Sequence, residues 1–87
     1  MPEKVKVIIY SKPGCHLCEE AKAVMHAAGC SSLFTIKEVN IENDPELQAR
    51  YRYDIPVIMI DGAEAFIHRL TAEEFKVQIL RRRGGQP

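Results

Sequence analysis

Eighty-seven residues, 46% hydrophobic and 28% charged, describe one globular domain with a modest core. Twelve Lys/Arg balance twelve Asp/Glu, so net charge gives no pull toward nucleic acid or an anionic membrane. No apolar run approaches the roughly 20 residues needed to cross a bilayer, and three cysteines, an odd count, argue against a secreted disulfide framework.

The start of the chain, "MPEKVKVIIYS", lacks the apolar h-region and cleavage site of a signal peptide, so a cytoplasmic location is expected. There is no internal repeat and no linker. A single domain over residues 1–87 is expected, with residues 84–87 of "RRRGGQP" fraying.

"KVKVIIY" (Lys4–Tyr10) alternates and then turns continuously apolar, which predicts a strand buried on both faces. Pro13 and Gly14 break it. From His16 to Ala28, Leu17, Ala21, Val24, Met25 and Ala28 recur at helical spacing, and Gly29 is a natural stop. "LFTIKEVNI" (Leu33–Ile41) predicts a second strand, although its alternation changes phase between Ile36 and Val39. Asp44 as N-cap and Pro45 at the first helical position open a short helix over Pro45–Arg52. "PVIMI" (Pro56–Ile60) is a third strand, Asp61-Gly62 a hairpin turn, and "EAFIHRL" a fourth strand antiparallel to the third. Thr71 and Glu74 have capping-box spacing, with Leu70 and Phe75 as its hydrophobic staple. The last helix is expected over Ala72–Arg82, with Phe75, Ile79 and Leu80 facing inward.

The order β-α-β-α-β-β-α predicts an α/β domain whose first crossover is a right-handed parallel βαβ unit. A C-x-x-C beside such a unit is the sequence signature of a thioredoxin-like redox site. Cys15 falls just before the first helix and Cys18 one turn in. The free N–H groups and dipole of a helix start favour an anion at Cys15, and the thiolate is the reactive form in disulfide exchange. Protonated His16 would add to this effect, while Glu19 and Glu20 oppose it slightly. Cys18 is within reach to displace a bound partner.

Two other readings of the pair remain at this point: a metal clamp and an inert buried pair. Cys15, Cys18, His26 and Cys30 fit a C-x2-C-x7-H-x3-C spacing. A standing helix would separate Cys15 from Cys30 by roughly 20 Å, against zinc–ligand bonds of about 2.3 Å or less.

"IIYSKPGCHLC" resembles the start of glutaredoxins, and "DIPVIMIDG" resembles the cis-proline strand of the thioredoxin superfamily. The similarity runs from Lys4 to about Arg82 and is greatest to small glutaredoxin-like proteins carrying C-H-L-C. It implies a thioredoxin-like fold with a four-stranded mixed sheet flanked by helices. The implied function is that of a thiol–disulfide oxidoreductase. Cys15 would be the attacking and Cys18 the resolving cysteine of a redox-active disulfide. The Ile55–Pro56 bond would be cis and lie beside the dithiol, Ile55 would offer its backbone to a substrate, and Lys12 would meet a glutathione carboxylate.

The resemblance implies no metal and no built-in cofactor. Electrons would come from glutathione or a reductase. The expected partner is a disulfide-containing protein or small thiol, and the chain is expected to be a monomer that binds neither nucleic acid nor membrane. An iron–sulfur or metal-carrying module, and a non-catalytic thioredoxin-fold binding domain, are the alternatives.

Several positions depart from the family pattern. Leu17 replaces the aromatic residue between the cysteines, and Asp54 replaces a threonine ahead of Ile55-Pro56. The glycine pair and aspartate that receive glutathione's charged end are absent from "AFIHRLTAEEF", so glutathione is expected to be a poor partner. Ile9 stands where thioredoxins carry a buried aspartate, and their tryptophan is missing. Among the remaining residues, Cys30 is expected to be half-buried, His26 solvated, His68 a surface residue of the sheet, and Tyr51 and Tyr53 to pack or rim the site near Pro56.

Overall fold

The computed structural model describes residues 4–83; residues 84–87, expected to fray, lie outside them. Four strands, β1 (Val5–Ser11), β2 (Phe34–Asn40), β3 (Val57–Ile60) and β4 (Ala63–Ile67), and three helices, α1 (His16–Ala27), α2 (Pro45–Tyr51) and α3 (Ala72–Arg83), follow in the order β-α-β-α-β-β-α. The sheet order is β2-β1-β3-β4, with β1 parallel to β2 and antiparallel to β3. The parallel βαβ start is the one the element order predicts, and the four-stranded mixed sheet flanked by helices is the thioredoxin-like α/β architecture that the glutaredoxin resemblance implies.

β1 is central, and its two faces differ. Val5, Val7, Ile9 and Ser11 are buried, whereas Lys6 is exposed and Ile8 and Tyr10 are half-buried. The first face joins Ala21 and Met25 of α1 and Phe75 and Ile79 of α3 in one core. The second packs Tyr10 with Leu47 and Tyr51 of α2 in a cluster that also holds Cys18, Ile55 and Val57. Tyr10 and Tyr51 stack with ring centroids 5.0 Å apart.

Local chemistry sets the element ends. Asp44 caps α2 by accepting the Glu46 and Leu47 N–H groups, with Pro45 at the start of the helix. Gly29, at φ +81°, ends α1 in the left-handed conformation that glycine adopts without cost. Asp61 (φ 50°) and Gly62 (φ 85°) have the two positive φ values of a type I′ hairpin turn. Asp61 also exchanges two hydrogen bonds with the Lys6 backbone, tying the turn to β1. Thr71 Oγ1 accepts the Glu74 N–H while the Glu74 carboxylate accepts the Thr71 N–H, and Leu70 and Phe75 are both buried behind this capping box.

Three expectations need correction. Leu80 is 47% exposed. Phe75 and Ile79, four apart, define the inward line of α3, and the next residue turns about 100° away from it at 3.6 residues per turn. Cys30 is fully buried rather than half-buried, because the chain turns back at Gly29 and carries it into the core with Phe34. β4 ends at Ile67. A bulge places Phe66 opposite Ile58 and Glu64 opposite Met59, leaving Ala65 as the extra residue, and His68 leaves the strand at φ +70°.

Candidate functional site

The β1–α1 connection is built by its sequence. The Cys15 N–H donates to the Lys12 carbonyl across Pro13 and Gly14, with Gly14 at φ +80°. Proline followed by a positive-φ glycine is the pattern of a type II turn. The turn delivers Cys15 to the N-cap of α1, where its sulfur accepts the Cys18 N–H at 3.2 Å. Cys15 and Cys18 are joined as a disulfide with their Cα atoms 5.2 Å apart. Their surroundings differ: Cys15 is half-buried at the rim, while Cys18 is 1% exposed. His16 and Lys12 are exposed.

The second wall comes from the segment before β3. Ile55–Pro56 is a cis peptide bond. Ile55 and Val57 share the hydrophobic cluster that contains Cys18 and packs against Cys15, and Pro56 between them is fully buried. Among the described residues, no turn, cap or side-chain hydrogen bond takes up the Ile55 N–H or carbonyl. Tyr51 is buried under this wall, whereas Tyr53 is 78% exposed with the Arg52 guanidinium 4.9 Å from its ring centroid. A cleft of about 320 Å³ runs from Leu17, between the two cysteines, along Ala21 and Val24 to Leu70 and Thr71.

Two arrangements near the dithiol were not foreseen from the sequence. Ser11, 2% exposed at the end of β1, donates its hydroxyl to Glu38 Oε2 at 2.8 Å. Lys22 of α1 reaches both Glu38 oxygens, at 3.0 and 3.2 Å, and also pairs with Glu19 at 2.9 Å. The Ser11 hydroxyl first, and then Lys22, hold the Glu38 carboxyl below its ordinary range. The hydrogen bonds that Lys22 donates to Glu19 and Glu38 raise its pKa. The sequence carried a signal for this cluster, since Ser11 extends the inward series Val5, Val7, Ile9, and Glu38 stands where the alternation of β2 changes phase. The second arrangement is at His68, whose Nε2 lies 2.9 Å from the Tyr53 carbonyl; His68 belongs to the wall of the site rather than to a plain sheet surface.

Cys30, the third cysteine, is a free thiol at the far end of α1. Twelve helical residues place it about 18 Å from the dithiol along the axis. Burial raises its pKa against a smaller opposing effect of Lys76.

A family model described as a glutaredoxin-like domain (DUF836) matches residues 6–80. The chain belongs to this family. It is 31% identical over 78 residues to the glutaredoxin-like protein YDR286C homolog of Dictyostelium discoideum, an alignment covering 83% of this chain and 72% of that one. Among solved structures, protein Ne2328 from Nitrosomonas europaea aligns with a TM-score of 0.75 at 26% identity, over 90% of this chain and 94% of the other. The oxidised thioredoxin of Plasmodium falciparum shares the fold, with a TM-score of 0.56 at 11% identity over 93% and 83% of the two chains. This is a glutaredoxin-like protein of thioredoxin-like fold with a Cys15–Cys18 pair at disulfide distance.

Proposed function

We propose that this glutaredoxin-like chain is a thiol–disulfide oxidoreductase working through Cys15 and Cys18. The observation that carries the reading is the asymmetry of the pair. Cys15 sits at the rim on the N-cap of α1, with its sulfur on the Cys18 N–H, and Cys18 is buried behind it. A helix N-terminus favours negative charge, so Cys15 in the reduced state is the thiolate that an incoming disulfide meets.

The Cys15 thiolate attacks one sulfur of the substrate disulfide. A Cys15–substrate S–S bond forms, the substrate S–S bond breaks, and the departing thiolate takes a proton from water. The Cys18 thiol then loses its proton and attacks Cys15 Sγ. This forms the Cys15–Cys18 bond and releases the second substrate thiolate. Two electrons pass to the substrate, and the enzyme is left in the disulfide form described above. A dithiol, or two thiols in succession, returns it to the reduced state. The second step is intramolecular and outruns diffusional competitors.

The Ile55–Pro56 wall supports docking of an extended substrate, since Ile55 has backbone groups to offer, and the cleft beyond Leu17 has room for residues flanking the substrate cysteine. The start of α3 does not favour glutathione as the electron source. The capping box engages the Thr71 and Glu74 N–H groups, and Glu73 and Glu74 place negative charge in the first turn, where a second carboxylate would be repelled. A dithiol reductase is therefore the proposed source of electrons, and Lys12 remains a candidate contact for a substrate carboxylate.

The test is reduction of a disulfide peptide with dithiothreitol regenerating the enzyme. Wild-type protein should accelerate the reaction over dithiothreitol alone, and Cys15→Ser should not. No acceleration by wild-type protein would overturn the reading.

A further inference from the structure

His68 lies one residue past the end of β4, with its ring exposed to solvent. It makes two bonds to the neighbouring segment. Its backbone N–H donates to the Pro56 carbonyl at 2.8 Å, and its Nε2 is 2.9 Å from the Tyr53 carbonyl. A carbonyl only accepts, so Nε2 carries the proton. The two bonds bracket the Tyr53–Pro56 segment, which closes the wall beside the dithiol.

The Tyr53 carbonyl and the Asp54 N–H belong to one peptide unit, and that unit is planar. The Asp54 N–H donates to the Tyr51 carbonyl at 2.8 Å, so the unit is held at its nitrogen by the end of α2 and at its oxygen by His68. The next residue is Ile55, whose side chain packs in the cluster with Cys18. Tyr53 contributes little packing of its own, being 78% exposed. The backbone of His68 also stands at φ +70°, a conformation that costs a non-glycine residue energy and that glycine would adopt freely. What the side chain contributes there is the ring bond.

We propose that His68 is a positioning residue: from the end of β4 its imidazole fixes the Tyr53–Asp54 peptide unit, and thereby the Ile55 backbone on which a substrate chain docks. This rests on the disulfide-exchange reading above for its consequence in catalysis, but not for the clamp itself. Loss of the ring should loosen docking without changing the chemistry at sulfur.

Two substitutions separate this role from a merely structural one. His68→Gly removes the ring and suits the backbone angle, so the fold is retained. His68→Gln keeps an amide N–H at about the reach of Nε2. Pre-reduced protein is mixed with a self-quenched fluorescent disulfide peptide, and the single-turnover rate is followed against peptide concentration. Iodoacetamide, which needs no docking, reports the reactivity of Cys15 in parallel. Amide hydrogen exchange at Asp54 is read by NMR.

One net hydrogen bond corresponds to a roughly two- to tenfold change in an equilibrium. For His68→Gly the half-saturating peptide concentration should rise by about that factor, with the limiting rate and the iodoacetamide rate unchanged. Asp54 exchange should quicken by a similar factor, and His68→Gln should match wild type in every assay. Wild-type docking and exchange in His68→Gly would overturn the proposal, as would equal impairment of both variants or a parallel fall in iodoacetamide reactivity. If wild-type protein leaves the peptide disulfide intact, the disulfide-exchange reading falls, and Asp54 exchange in the two variants alone decides whether His68 holds the peptide unit.

Discussion

Glu38→Ala should destabilise the protein by about 1–3 kcal/mol, which is the cost of stranding a buried hydroxyl. Ser11 is 2% exposed, and its Oγ donates to Glu38. Among the described residues no buried side-chain nitrogen or oxygen lacks a partner, and this substitution would create one. The Lys22 contribution is smaller. Lys22 keeps Glu19, and the Glu38 side chain is 44% exposed, so solvent screening limits that ion pair to about 1 kcal/mol or less. Glu38→Gln retains an acceptor for Ser11 and should cost under about 1 kcal/mol. Ser11→Ala removes the hydroxyl that Glu38→Ala strands, so the double variant should be more stable than the sum of the single effects predicts, by about 0.5–3 kcal/mol.

Urea unfolding of the oxidised proteins, followed by far-ultraviolet circular dichroism, measures these differences as shifts in midpoint at constant slope. A second signature is pH. The folded Glu38 carboxyl lies below its ordinary value of 4.5. Its contribution is therefore full above the unfolded pKa and is lost as pH falls through the folded one. Glu38→Gln should lack that part of the acid sensitivity. Strict additivity of Ser11→Ala and Glu38→Ala, or an unchanged midpoint in Glu38→Ala, would refute the reasoning.

Further outcomes follow from burial and charge. Phe75→Ala should cost about 3–5 kcal/mol, since Phe75 is fully buried and meets Phe34 edge to face with ring centroids 5.0 Å apart. Leu80→Ala at the exposed position should cost far less, and thermal unfolding of both variants compares them. Cys30, buried and raised in pKa, should resist iodoacetamide under native conditions and react once the chain is unfolded, as read by mass spectrometry of the labelled peptide. Its burial also implies that stability declines as pH rises above about 8.5, where the unfolded thiol ionises first. Turnover with glutathione and glutathione reductase should be well below turnover with a dithiol regenerant; equal rates would contradict the argument from the Thr71–Glu74 cap.

The architecture was legible where a local rule and a burial pattern agree. Asp44-Pro45, Asp61-Gly62 and Thr71–Glu74 each mark an element end with a backbone requirement, and the structure uses each as expected. The cysteine pair was legible because C-x-x-C at a helix start is a local arrangement. What escaped depends on residues distant in sequence. Ser11 meets Glu38 across 27 positions through the β1–β2 pairing, and His68 meets Tyr53 across 15 where the chain past β4 runs beside the segment before β3. Leu80 reads as inward-facing in the sequence because an apolar residue beside an inward line looks like part of it until the width of the packed face is known. The burial of Cys30 is not legible in the sequence because the turn at Gly29 redirects the chain inward, which periodicity along α1 does not encode.

The division of labour between the two cysteines is tested most directly by trapping the mixed disulfide. Cys18→Ser and Cys15→Ser are each reduced, mixed with a disulfide-bonded substrate, quenched in acid and run under non-reducing conditions, and the linked cysteine is identified by mass spectrometry. Cys18→Ser keeps the nucleophile and lacks the resolving thiol, so it should accumulate a covalent complex through Cys15, while Cys15→Ser accumulates almost none. Equal trapping by the two variants, or linkage mainly through Cys30, would contradict the account.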